Sequence, residues 1–128
     1  MDGLIDDLCG GRSGQQTMLL REAMHLMIAA PQPMAAWLGP VVDVEAMEMM
    51  LAAGAGESAA LALVPPQAGY MLSRGPNGVH LASVFMPGAD REEYTAEGDT
   101  AALALLAAFV SAVRETADRI LTETERLN

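Results

Sequence analysis

The sequence predicts an α+β fold in which a small antiparallel sheet of three to four strands packs against two helices from the N-terminal half and a long C-terminal helix. Three observations carry this. Residues 69–88 hold two alternating runs around Pro76-Asn77-Gly78, the pattern of a β-hairpin. Residues 13–30 and 43–53 place apolar side chains three and four apart, as amphipathic helices do. Residues 100–113 carry no charge, yet at a helical rise of about 1.5 Å each they reach only about 21 Å, too short for a hydrocarbon core of about 30 Å. That stretch is therefore expected to lie inside the protein.

Taken in order, Asp2-Gly-Leu-Ile-Asp-Asp-Leu8 predicts a short, loosely held helix within residues 1–13, with Leu4, Ile5 and Leu8 inward and Gly10-Gly11 ending it. Ser13 and Gln16 have capping-box spacing, and Leu20, Met24, Met27 and Ile28 form the apolar stripe of the next helix, which Pro31 stops. Three prolines between residues 31 and 40 predict a wrapped loop, pinned by Trp37. Asp43 caps a helix with Val44, Met47 and Leu51 inward, and Gly54 is its left-handed exit.

Residues 58–64 predict a strand ended by Pro65-Pro66, although their alanines and leucines also suit a helix. In the hairpin, Tyr70, Leu72 and Arg74 share one face of the first strand, while Val79, Leu81, Ser83 and Phe85 share one face of the second. Tyr94 and Ala96 alternate with polar residues and predict a charged edge strand. Asp99 is the expected cap of the last helix. Its first half is apolar nearly all round, and so belongs between a sheet and another helix; its second half narrows to a stripe of Val113, Ala117 and Ile120. That seam is a candidate homodimer contact.

At 128 residues and 52% hydrophobic, the chain suffices for a single domain over 1–128 with its own core. Seven basic residues, all arginine, against seventeen acidic ones give a net charge of -10. Such a surface repels phosphate backbones, so direct nucleic-acid binding is excluded as an expectation, as is a membrane role. The lone Cys9 and an N-terminus with acids where a secretory signal has basic residues point to a cytoplasmic protein.

The residues offer no catalytic constellation. His25 and His80 have no partner at ligand spacing, so no metal or other cofactor is expected. His25 reads as a partly buried helix residue. Ser73, Ser83 and Ser111 lack a nucleophile elbow, and Ala55-Gly56-Glu57 is too poor in glycine and lysine for a phosphate loop. The expectation is a non-enzymatic protein. The candidate partner-binding residues are the methionine group Met47, Met49 and Met50 and the carboxylates Asp90, Glu92, Glu93, Glu97 and Asp99.

The helix at 43–54, the hairpin at 69–88 and especially Ala96-Glu-Gly-Asp-Thr-Ala-Ala-Leu103 with the alanine-rich helix that follows resemble the phage ABA sandwich domain and similar small prophage-encoded proteins. This resemblance implies a helix-sheet-helix sandwich on a mobile element, with no assigned chemistry. Three functions then stay open: an accessory protein offering an acidic surface to a basic protein partner; a host-defence inhibitor of anti-CRISPR type, whose carboxylates mimic nucleic-acid charge; and a small ligand-binding domain or enzyme using a cleft near Trp37, Arg74 and His80.

Overall fold

A computed structural model describes residues 2–29, 43–86 and 92–127. Five α-helices and a three-stranded antiparallel sheet lie among them: α1 (Asp2–Gly10), α2 (Gln16–Ile28), α3 (Val44–Ala52), α4 (Gly56–Leu63), β1 (Gly69–Arg74), β2 (His80–Phe85), β3 (Glu93–Gly98) and α5 (Ala101–Leu127). The fold is α+β with a long C-terminal helix, and the proline-rich loop with Trp37 lies outside the described residues.

The layers follow from α5. Every residue from Ala102 to Val110 is buried, because the helix packs on β2 and β3 with one side and on α1, α2 and α4 with the other. Fully covering side chains such as Leu103, Leu106 and Phe109 contributes roughly 1.5–3 kcal/mol each. The sheet-facing residues opposite them are small: Ala82, Val84 and Ala96, with Gly98 at the strand end. A Cβ at Gly98 would stand 2.5 Å from the Ala104 nitrogen, so only glycine permits the sharp return of β3 into α5.

The N-terminal layer corrects several expectations. In α1, Leu8 is fully buried and Leu4 and Ile5 pack on the core, the inward set that the sequence predicts. Gly11 turns the chain where a Cβ would lie 2.6 Å from the Asp7 carbonyl oxygen. Residues Ser13–Gln15 form a 3-10 turn, and Gln15 caps α2 without a side-chain bond to it. Gln16 does not complete a capping box; its Oε1 accepts from the Thr100 hydroxyl, tying α2 to the start of α5. Leu19 and Ala23 join the α2 stripe, while Ile28, at the fraying end, is exposed. His25 is exposed as well, since it lies opposite Ala23 and Met27 on the helix wheel.

Asp43 does cap α3, its Oδ1 accepting from the Ala46 amide at 3.1 Å, and Gly54 exits with φ at 75°. Val44 sits in the first turn and is exposed, leaving Met47 and Leu51 as the buried pair. The predicted strand at 58–64 is instead α4. Alanine and leucine are the strongest helix formers, and Ala59, Ala60 and Leu63, at helical spacing, all face the core beside α5.

The sheet runs β1-β2-β3, with Arg74 opposite His80 and His80 opposite Gly98. Gly78 turns the hairpin with φ at 79°. The cap of α5 is Thr100, not Asp99: the Leu103 amide donates to Thr100 Oγ1 at 3.1 Å. Beyond the body, Arg119 holds α5 to β3 by bonds to Glu92 and to the Tyr94 hydroxyl, the latter at 2.9 Å. Of the expected dimer seam, Val113 is buried and Ala117 packs on the core, while the Ile120 side chain lies outside the described residues.

Candidate protein-interaction surface

Strand alternation gives the sheet two unlike faces. Under α5 lie Leu72, Ala82, Val84, Tyr94 and Ala96. The other face carries three columns: Met71 and Ser73 on β1, Leu81, Ser83 and Phe85 on β2, and Glu93, Thr95 and Glu97 on β3. Its side chains are exposed or half-buried throughout, Met71 at 63%. The registers set Glu97 beside Leu81 and Glu93 beside Phe85, with the Ser83 and Thr95 hydroxyls bonded at 2.9 Å between them. An apolar strip is thus flanked on one side by a carboxylate column.

Of the carboxylates singled out from the sequence, this face brings together Glu93 and Glu97. Asp90 lies outside the described residues. Glu92 is turned toward Arg119 and accepts from the Tyr94 hydroxyl at 2.7 Å. The cost of desolvating a phenolate, together with that bond to Glu92, pushes the Tyr94 pKa up to about 12. Asp99 is exposed in the turn into α5.

The methionine group does not form one surface. Met47 is a core residue at 2% exposure, Met50 is half-buried against the core and Met49 is 68% exposed, as the 100° helical step requires. The direct-contact role expected of Met47 is therefore closed to it. The outer sheet face escaped the sequence reading because alternation shows which residues share a face, not which face is covered. Along β2 the larger apolar residues, Leu81 and Phe85, lie on the open side, and the smaller Ala82 and Val84 admit α5 on the other.

A cleft of about 400 Å³ opens where the end of α1 meets the hairpin turn and the end of β3, lined by Cys9, Arg12, Asn77, Glu97 and Asp99 among others. Arg74 and His80 are not in its lining. Partial burial, followed by the charges of Asp6 and Glu97, raises the Cys9 pKa, so at neutral pH the thiol stays protonated and is a weak nucleophile. Among the described residues, no group of three or more His, Cys, Asp or Glu side chains could hold a metal ion, and no polar or charged residue is buried. No described helix is long and apolar enough to cross a membrane. Comparison with known proteins finds no family model, no curated protein and no solved structure that matches the chain.

Proposed function

We propose that this protein is a non-enzymatic interaction protein that offers the outer face of its sheet to a basic protein partner. One observation carries the reading: the exposed column Glu93, Thr95 and Glu97 runs beside the apolar side chains Leu81 and Phe85. Among the described arginines, Arg74 is on the opposite face and Arg21, Arg114 and Arg119 engage Glu48, Glu115 and Glu92, while Arg12 shares the cleft lining with Glu97 at one end of the column. With a net charge of -10, the surroundings strengthen its field. A partner segment with an apolar stripe and a basic flank matches both parts. The resemblance to the phage ABA sandwich domain adds a phage or prophage accessory role in the cytoplasm to this proposal.

The test is capture of partners from the native host on the immobilised full chain, with Glu93→Gln and Glu97→Gln introduced together. Glu92 is left intact, because neutralising it would also release Arg119. The expected result is a partner held at about 50 mM salt, released near 0.5 M as charges are screened, and weakened at least about tenfold by the double substitution. A partner indifferent to both salt and substitution would exclude the acidic column from binding.

A further inference from the structure

The edge of the sheet formed by β1 differs in charge from the opposite edge, formed by β3. Residues Gly69–Arg74 contain no carboxylate, whereas β3, at the opposite edge, carries Glu93 and Glu97, and each α-helix carries at least one acid. Helix α5 lies chiefly over β2 and β3 and only grazes β1. Tyr70 is accordingly 46% exposed even though it is on the α5 side of the sheet, and Leu72 beside it is only half-buried.

Among the described residues, the main chain at this edge is open too. The Gly75 amide donates to the Val79 carbonyl at 2.8 Å, which fixes the alternation along the β1–β2 ladder: Ser73, Met71 and Gly69 bond β2. Tyr70, Leu72 and Arg74 therefore aim their N–H and C=O groups away from β2, and no described residue outside the strand bonds them. The register is unbroken, so there is no bulge, no proline interrupts the strand, and its one charge, Arg74, stands at the end. An edge lacking these devices is a template for another strand.

We propose that a second copy of this chain occupies it, two β1 strands pairing antiparallel about a two-fold axis at Leu72. Only one register uses all the outward groups: Leu72 opposite the partner's Leu72, and Tyr70 opposite the partner's Arg74 in both directions. Each of these pairs exchanges two main-chain bonds. On the α5 side the two Leu72 side chains meet, and each Tyr70 ring receives an arginine, the arrangement of a cation–π pair. Charge selects the occupant. A basic segment would find no carboxylate on β1, whereas a chain of net charge -10 can approach its own copy with least repulsion at the one acid-free edge. The result is a continuous sheet of double width with its acidic columns at the two far edges. This inference stands apart from the acidic-surface reading, since it uses neither Glu93 nor Glu97.

Sedimentation velocity on the full chain across a concentration series tests it, with Tyr70→Pro and Arg74→Glu as variants and far-ultraviolet circular dichroism as the folding control. Proline at 70 removes an N–H that serves only the open edge. Glutamate at 74 places an acid in the seam from an exposed position. The expected outcome is wild-type protein at twice the 13.4 kDa chain mass, with both variants folded and their dimer dissociation constants raised at least about tenfold. A wild type that stays at the single-chain mass to about 100 μM, far above the micromolar affinity of a modest interface, overturns the proposal. So does a dimer that survives both substitutions, which would place the contact elsewhere, for instance on α5.

Discussion

At the scale of single residues, Gly98 and Tyr94 decide how the sheet is held to α5. The space at Gly98 is closed by main chain: an added Cβ would meet the Ala104 nitrogen at 2.5 Å and the Ala104 Cα and Leu103 carbonyl carbon at 3.0 Å. Backbone cannot rotate away as a side chain can, so Gly98→Ala forces β3 and α5 apart. Overpacking of this kind costs about 1–3 kcal/mol, and urea unfolding of the variant is expected to show a free energy of unfolding lower by that amount, seen as a lower midpoint at unchanged slope. An unchanged midpoint would mean that the turn is not as tight as described. Tyr94 makes a pH-dependent tie. With its folded pKa raised to about 12 against about 10 in an unfolded chain, its contribution is complete below pH 10 and is lost as pH rises through about 12. Ultraviolet difference titration of wild type against Tyr94→Phe is expected to remove an ionisation near the upper value. Removal of a step near 10 would show that the bond to Glu92 is not kept.

At the scale of elements, the sequence makes the hairpin, α2, α3 and α5 legible because each has a strong local signal: a positive-φ turn glycine, a capping aspartate, or a long apolar stripe. The first half of α5 was expected between a sheet and another helix, and it lies there because no other arrangement covers an all-round apolar surface. The segment 58–64 predicts a strand but forms α4, since its alanines and leucines satisfy both periods and only the neighbour α5 decides. The Ser13–Gln16 capping box failed for the same reason: Gln16 serves a residue 84 positions away, Thr100, which no local pattern reveals. The site was legible only in its charges. Glu93 and Glu97 were visible as acids, but their position beside Leu81 and Phe85 depends on the strand register and on which face α5 takes.

At the scale of the whole molecule, two associations have been argued, and the net charge of -10 pulls them in opposite directions. Bringing two copies together along β1 sums two negative bodies. The described ion pairs, such as the exposed Arg21 with Glu48, lie within one chain and do nothing to offset that repulsion. Raising ionic strength from about 10 mM to about 0.15 M shortens the Debye length from about 30 Å to about 8 Å. Repulsion between the outlying carboxylate columns is then screened, while the main-chain bonds and Leu72 contacts at the seam are little affected. The dimer is thus expected to tighten several-fold over this range, and the complex with a basic partner to loosen over the same range. Sedimentation of the chain alone and titration calorimetry with the captured partner, at matched salt concentrations, read the two trends separately. A dimer that loosens with salt would have to be held by opposite charges, which the acid-free β1 edge cannot supply, and its interface would then lie on another face of the molecule.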